Sequence, residues 1–378
     1  MNDKAHLAFF ASSLPVGAIQ DVLANLARVF AQRGHRCDLV TARLDEPMEA
    51  PGPGVRVIDL EPLSTRIPWI KAKRRRWLPA SAPALATYLR REKPTSLLAG
   101  GLYANLAALW ARDSARSTTR IVLCEHNPLS RACRNPGRIK LTTPLLVRRS
   151  YPRADAIVAC SGGVADDMAE FTGIARERIL AVHNPVVTPD LRARAEEPLD
   201  HPWFVADSPP VILSVARLAV QKDFPTLLRA FSLVRAKRPA RLLILGEGKQ
   251  RSELEKLASE LDLGDDLSLP GFTPNPLPYM KRADVFALSS IYEGFGNVLI
   301  EALSCGLPVV STDSPGGPGE ILDRGRFGRL VPMSDPQAMA EALFDTLDRP
   351  PAREALTARA EEFSAEDIAD RYREALLP

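Results

Sequence analysis

The chain has 378 residues, which is too long for one ordinary hydrophobic core and fits two domains. Hydrophobic residues make up 46% and charged residues 25%, as in soluble globular proteins, and no run approaches the roughly 20 consecutive apolar residues that a membrane-spanning helix needs. The cysteines lack a Cys-x-x-Cys pair, which argues against a disulfide framework or a zinc site and predicts packed thiols at Cys37, Cys124, Cys133, Cys160 and Cys305.

The first half of the chain alternates short β-rich apolar runs with longer helical patterns, which is typical of a parallel α/β sheet. A helix is predicted at 19–33, with Gly34 after its end. The first apolar run reads as a buried strand and not as a secretion signal, so we expect a cytoplasmic protein. The predicted strands are 6–11, 36–41, 55–59, 96–99, 120–124, 156–159 and 179–182.

Charge is uneven along the chain, at +13 through residue 150 and −10 after it. The densest cationic part runs from Arg66 to Trp77 and carries six cations together with Trp69 and Trp77. Near an anionic membrane each Lys or Arg contributes roughly 1 kcal/mol and Trp favours the headgroup level, so the segment is suited to peripheral docking on the inner face of the cell membrane. A solvated basic loop remains an alternative. No recognition motif accompanies the segment, so we expect no nucleic-acid partner.

Residues 186–209 interrupt the alternation with several prolines and mixed charge, which predicts an interdomain linker between domains at 1–185 and 210–362. The alternation then restarts, and the terminal segment 363–378 is compatible with a return to the first domain. Two Rossmann-like, doubly wound parallel-sheet domains facing across a cleft are therefore predicted, with ligands beyond the carboxyl ends of the strands. The predicted strands are 211–215, 242–246, 267–269, 285–289, 308–311 and 328–331, and the helices are 224–236, 250–261, 298–304, 336–347, 352–363 and 365–376.

Two glutamates eight residues apart, Glu293 and Glu301, flank a glycine-bearing turn that begins a helix. Gly294 and Gly296 leave backbone N–H groups open to an anion at the positive end of the helix dipole. A nucleotide sugar fits this spacing, with its diphosphate at the turn, its ribose hydroxyls on Glu301 and its sugar near Glu293. An isolated acidic pair that only complements the dipole is the plainer alternative.

Two further features follow strand ends in the second half. Arg217 and Lys222 lie five residues apart after strand 211–215, where they are suited to neutralising the charge that grows on a departing nucleoside diphosphate. Gly246 and Gly248 separate a strand from a helix but lack the third glycine of a dinucleotide fingerprint. The region near Gly17 lacks that fingerprint too, which argues against a nicotinamide-dependent dehydrogenase.

Together, residues 214–222, 246–248, 271–272 and 293–317 resemble the retaining family-4 glycosyltransferases of the GT-B type, also called glycosyltransferases group 1. The signature is clearest in 290–296 and 301–310, where the family's two glutamates correspond to Glu293 and Glu301. The resemblance implies a donor site formed by Arg217 and Lys222 at the diphosphate, Glu301 at the ribose, Glu293 near the transferred sugar, the backbone around Phe272 at the base, and Gly246, Gly294, Phe295, Gly296 and Asn297 around the phosphates and sugar.

The first half matches the family less closely, because a single glycine, Gly17, stands where such enzymes often carry Gly-Gly. His126 follows strand 120–124 and looks like the histidine that the family places near the anomeric carbon. The resemblance therefore implies that His126, with Glu293, Arg217 and Lys222, acts in catalysis by hydrogen bonding to the donor sugar or supporting charge. A satisfied polar residue at a strand end is the alternative for His126.

The implied reaction moves a hexose or N-acetylhexosamine, with retention, from a nucleoside diphosphate sugar to a hydroxyl of a glycan or a polyprenyl-diphosphate-linked acceptor in envelope polysaccharide synthesis. UDP is the favoured nucleotide and GDP remains open. The chain has no Asp-x-Asp triplet, so we expect neither a metal nor another cofactor. A nucleotide-sugar epimerase of the same fold and a non-enzymatic membrane-binding protein are the alternatives.

Overall fold

The computed structural model describes residues 4–12, 18–42, 49–60, 78–133 and 143–377. The loop around Gly17 and the basic segment from Arg66 to Trp77 lie outside these ranges. The chain forms two compact units, one comprising Met1–Val186 with Ala365–Pro378 and the other Val187–Ser364. Among the described residues, none of the helices combines the length and apolar character that crossing a bilayer requires.

The first unit is built on a parallel sheet whose described strands follow the order β3-β2-β1-β4-β5-β6-β7. Nearly every residue of its inner strands is buried, as expected for a parallel sheet covered on both faces. The strands are β1 (His6–Ala11), β2 (Arg36–Thr41), β3 (Val55–Asp59), β4 (Ser96–Gly100), β5 (Arg120–Glu125), β6 (Ala156–Ala159) and β7 (Ile179–Ala181). The helices are α1 (Ala18–Gln32), α2 (Leu78–Glu92), α3 (Leu102–Ala115), α4 (Leu129–Ala132), α5 (Thr143–Ser150) and α6 (Gly162–Thr172).

The second unit repeats this design with the strand order β10-β9-β8-β11-β12-β13, again all parallel. The strands are β8 (Val211–Val215), β9 (Arg241–Leu245), β10 (Leu267–Gly271), β11 (Val285–Leu288), β12 (Val309–Thr312) and β13 (Arg329–Val331). The helices are α7 (Pro189–Ala195), α8 (Phe224–Arg235), α9 (Arg251–Glu260), α10 (Leu277–Arg282), α11 (Asn297–Ser304), α12 (Pro318–Ile321), α13 (Pro336–Asp348) and α14 (Arg353–Glu361).

The last helix, α15 (Ala365–Leu376), belongs to the first unit although it ends the sequence. Its apolar residues recur at helical spacing, and Ile368, Ala369 and Tyr372 are completely buried in the core that also contains Phe9 and Phe30. The Tyr372 hydroxyl lies 3.3 Å from the Cys124 thiol, within hydrogen-bond distance for sulfur. Burial of this apolar face therefore brings the chain back to the sheet where it began.

The structure differs from the sequence-based prediction at residues 186–209, which were expected to form a linker. From Val187 onward this segment is part of the second unit, and it contains helix α7. Pro189 is tolerated because it lies in the first helical turn, where its missing N–H has no partner to lose, and Leu191 and Ala195 form a buried face. Asn275 then fixes the end of this helix by donating to the Arg194 carbonyl over 2.9 Å.

Candidate active site

The candidate active site of the second unit lies where β8, β11 and β12 end side by side. Because the three strands are parallel neighbours, the loops that follow them meet at one edge of the sheet. Gln221 joins the first two loops, since its carbonyl accepts from the Ile291 N–H and its side-chain amide donates to the Tyr292 carbonyl, each over 2.9 Å. The Ser289 hydroxyl adds a third bond to the Lys222 carbonyl at 2.7 Å. The tertiary structure thus brings the predicted residues Lys222 and Glu293 together.

Lys222 and Glu293 form an ion pair in which Nζ lies 2.5 Å from Oε1, with 15% and 8% of the two side chains exposed. The Ser290 hydroxyl donates to the same oxygen over 2.6 Å. Within the described part of the chain, Oε2 of Glu293 makes no hydrogen bond. One carboxylate oxygen therefore orients the group, and the other is available to a hydroxyl donor.

Two glycines shape the turn after Glu293, one through its backbone conformation and one through a close approach. Gly296 has φ +102° immediately before helix α11, a conformation that side chains other than glycine rarely adopt. Gly316, in the loop after β12, packs so closely that an added Cβ would lie 2.0 Å from the Glu293 carbonyl oxygen. The glycine-rich loop after β12 therefore supports the backbone of the turn. Helix α11 begins at Asn297, and the half-buried Glu301 lies in its second turn.

The loop after β8 rests on the loop after β9 in a similar way. A Cβ at Gly246 would lie 1.9 Å from the Ala216 carbonyl oxygen, and the Leu218 N–H donates to the Glu247 carbonyl over 2.9 Å. Arg217 between these contacts is exposed, and its guanidinium has no ion pair or hydrogen bond with any residue that the structure describes. In this structure Gly246 is thus a packing glycine, and Arg217 presents its charge to solvent.

The two aromatic residues predicted for the donor site differ in exposure. Phe295 is buried, and its ring lies edge-on to Phe363 with centroids 5.8 Å apart, so the ring packs inside the second unit. Phe272 follows the end of β10, and 64% of it is exposed. An exposed aromatic ring at the carboxyl edge of a sheet is suited to stacking against a planar group.

His126 lies in the first unit, directly after β5, and is buried. Burial lowers the pKa of His126 to about 4, and nearby Asn184 opposes this shift only in part. Nε2 makes no hydrogen bond of normal geometry with a described residue. The ring is therefore neutral at pH 7, and its Nε2 is a buried nitrogen without a partner among the described residues.

A buried polar network beside His126 was missed by the sequence-based reasoning. Glu125 accepts hydrogen bonds from Tyr151 Oη and from Asn105 Nδ2, the latter over 2.8 Å. The same amide donates to the Cys124 carbonyl over 3.1 Å, which holds the end of β5 in place. Burial raises the pKa of Glu125 to about 7. An asparagine within the alanine-rich apolar helix 102–111 was the available signal, since such a group needs a buried partner.

One cluster of possible metal-ligating side chains occurs among the described residues, formed by His6, Asp38 and Glu92. Asp38 is completely buried and already accepts hydrogen bonds from His6, Arg56 and Tyr88 over 2.7–2.8 Å. The Arg56 guanidinium also pairs with Glu92 over 2.8 Å, and its positive charge opposes a bound cation. The cluster is a structural network near the amino ends of the strands, away from the carboxyl edge.

Two family models match the chain, glycosyltransferase family 4 over residues 19–189 and glycosyl transferases group 1 over residues 197–363. A relative from Campylobacter jejuni, N-acetylgalactosamine-N,N'-diacetylbacillosaminyl-diphospho-undecaprenol 4-alpha-N-acetylgalactosaminyltransferase, is 34% identical over 256 residues, which cover 68% of this chain and 68% of the relative.

Solved structures of the same fold cover nearly the whole chain. The apo form of the lipopolysaccharide outer core galactosyltransferase WaaB matches with a TM-score of 0.72 at 20% identity, covering 98% of both chains. Anabaena HepE in complex with UDP-glucose matches with a TM-score of 0.74 at 19% identity, also covering 98% of both chains. With its two parallel-sheet units of seven and six described strands, the chain belongs to the group 1 glycosyltransferases of the GT-B fold.

Proposed function

We propose that this glycosyltransferase transfers a hexose or N-acetylhexosamine, with retention of configuration, from a UDP-sugar to a hydroxyl of a lipid-linked glycan in envelope polysaccharide synthesis. The observation that carries the proposal is the arrangement of Lys222, Glu293 and the start of α11 on one edge of the second sheet. A cation, a carboxylate and a helix amino terminus there match the diphosphate and hydroxyls of a nucleotide sugar.

In the proposed complex, the donor diphosphate binds Arg217, Lys222 and the backbone from Gly294 to Asn297. Arg217 supports this role because its charge is exposed and unpaired among the described residues, so binding a phosphate breaks no existing ion pair. Glu301 accepts the ribose hydroxyls, and Oε2 of Glu293 accepts a hydroxyl of the sugar. The base lies against the loop at Phe272.

The choice of UDP rests on the fold relatives. HepE is known in complex with UDP-glucose, and its chain superposes along nearly the full length of this one. We therefore propose uridine as the nucleoside of the donor. A preference for GDP would change the base site and leave the diphosphate site unchanged.

Catalysis in this proposal depends on stabilising the leaving group. Negative charge grows on the β-phosphate as the glycosidic bond breaks, and Arg217, Lys222 and the helix dipole lower the energy of that charge in the transition state. The same-face attack expected for retention is assisted by the leaving phosphate, so no enzymic nucleophile is required. We also propose that these cations replace a divalent metal and that the neutral Nε2 of His126 hydrogen-bonds the donor sugar.

The acceptor proposal comes from the relatives and from the basic segment. The Campylobacter relative is named for a diphospho-undecaprenol acceptor, and WaaB is named for the lipopolysaccharide outer core. Arg66 to Trp77 would hold the enzyme beside such a lipid-borne substrate at the inner, cytoplasmic face of the membrane, through attraction of its six cations to anionic lipids.

The test is a panel of nucleotide sugars, measured first by thermal shift in the presence of EDTA and then by turnover with a polyprenyl-diphosphate glycan. A donor at 100 times its Kd stabilises the folded state by about 2.7 kcal/mol through mass action. We expect a UDP-sugar to do so without metal and to yield an α-linked product by NMR. Sugar interconversion with the acceptor omitted would instead indicate an epimerase. Failure of every nucleoside diphosphate sugar to bind would overturn the proposal.

A further inference from the structure

The edge strand β10 is irregular where it approaches the exposed ring of Phe272. Its pairing with β9 shifts register between Ser268 and Gly271, so Leu269 and Pro270 lie in a bulge. Bulges bend an edge strand and redirect the side chains that follow it. The direction of Phe272 therefore depends on what holds this bulge in place.

Arg251, near the start of α9, holds the bulge by donating from Nη1 to the Leu269 carbonyl over 3.1 Å. Glu247 fixes the same guanidinium by accepting from Nε over 3.0 Å and from Nη2 over 2.5 Å. Two parallel bonds to one carboxylate define the plane of the guanidinium, which an amine could not do.

Glu247 also touches the residue that precedes Phe272. A Cβ added at Gly271 would lie 2.9 Å from Oε1 of Glu247, and Gly271 has φ +104°. The Gly246 N–H donates to the Gly271 carbonyl over 2.8 Å. The carboxylate of Glu247 thus lies beside Gly271, and the backbone of Gly246 is hydrogen-bonded to it.

We propose that Glu247 and Arg251 are positioning residues that set the peptide and ring of Phe272 for the nucleobase and thereby determine nucleobase selectivity. This inference rests on the proposed function, because it places the donor base at Phe272. About half of the Glu247 side chain and a quarter of that of Arg251 are exposed, so the pair adds little to folding stability. The contacts that Glu247 and Arg251 make with the end of β10 are better explained as positioning Phe272.

The experiment measures binding of UDP and of inorganic diphosphate by calorimetry to the full chain and to Glu247→Gln, Arg251→Ala and Phe272→Ala. We expect each variant to weaken UDP about tenfold, as for loss of a contact that orients a bound group, while diphosphate affinity stays within about twofold. In each variant the ratio of UDP affinity to ADP affinity should also fall. Lys256→Ala, on the exposed side of the same helix, is the matched control and should change neither affinity.

A double-variant cycle separates positioning from general support of the fold. If Arg251 acts through Phe272, Arg251→Ala should have no further effect on UDP affinity in the Phe272→Ala background. Additive losses, unchanged UDP affinity, or equal losses of UDP and diphosphate would each overturn the inference. If the parent protein bound UDP no more tightly than inorganic diphosphate, the base site alone would be overturned. If it bound neither UDP nor diphosphate, the proposed function itself would be overturned.

Discussion

The ammonium group of Lys222 lies 2.5 Å from Oε1 of Glu293, although 71 positions separate the two residues in the chain. One follows β8 and the other follows β11, which are neighbouring strands. In the free protein the carboxylate balances the lysine charge, and an arriving phosphate must share that lysine. Arg217 has no such partner among the described residues, so the two cations of the proposed diphosphate site are expected to respond differently to mutation.

Arg217→Ala should weaken nucleoside diphosphate binding about tenfold and leave the melting temperature of the free protein unchanged, because an exposed cation without a described partner contributes little to stability. Lys222→Ala should weaken binding by a similar factor and also destabilise the protein by about 1–3 kcal/mol, since it leaves the buried Glu293 carboxylate without its cation. Calorimetric titration and denaturant unfolding measure the two effects. Equal stability losses in both variants would contradict this account.

Glu125→Gln should change how stability depends on pH. The pKa of Glu125 is raised from 4.5 to about 7, so the folded state retains a proton that the unfolded state releases between those values. This group's stabilisation is complete below about pH 4.5 and is lost as the pH rises through 7, a difference on the order of 3 kcal/mol. Urea unfolding at intervals from pH 4 to 8 should show the neutral variant gaining stability relative to the parent as the pH rises. A constant difference would show that folding leaves the pKa of Glu125 unshifted.

The His126→Gln substitution should change the pH dependence of stability in the opposite direction. The pKa of His126 is lowered from 6.5 to about 4, so the unfolded state takes up a proton in this window before the folded state does. Stability from the neutral ring is complete above about pH 6.5 and is lost as the pH falls towards 4. The glutamine variant should therefore be less acid-sensitive than the parent across that window. It should also lose transfer activity at pH 7.5, where stability is not limiting.

Gly316→Ala tests the close approach beneath Glu293. The added Cβ would lie 2.0 Å from the Glu293 carbonyl oxygen, so the loop must move and we expect a loss of at least about 2 kcal/mol together with weaker donor binding. Gly173→Ala is the matched control, because Gly173 also has positive φ but no atom within 4 Å of the added carbon. It should destabilise the protein by only about 1 kcal/mol. Similar unfolding free energies for both variants would show that the loop after β12 does not support the turn.

The fold followed closely from local sequence patterns. Each strand predicted from a short apolar run is present among the described residues. The predicted and observed ends of these strands differ by at most two positions. The interval 186–209 was predicted as a linker, because its prolines outweighed the short apolar spacing of Leu191 and Ala195 that forms α7. A single buried turn of that kind contributes too weak a periodic signal to stand out from a loop.

The site was only partly readable from the sequence. The glycine turn from Glu293 to Glu301 is local, and its strand–turn–helix context was predicted. The burial of Phe295 against Phe363 and the Glu125 network join residues that are far apart in the sequence. Pattern analysis along the chain cannot pair such groups.

By itself the sequence determined the two Rossmann-like units, the sheet edge proposed to bind the donor and the residue types at that edge, because hydrophobic period and turn chemistry act over a few neighbouring residues. Only the tertiary structure decided which of those residues are paired and which are free for a ligand. Arg217 and Lys222 are both cations on one loop, yet Lys222 is bound to Glu293 while Arg217 faces solvent. That distinction depends on the packing of separate strands, because the distance between two charges and their burial determine how strongly they interact.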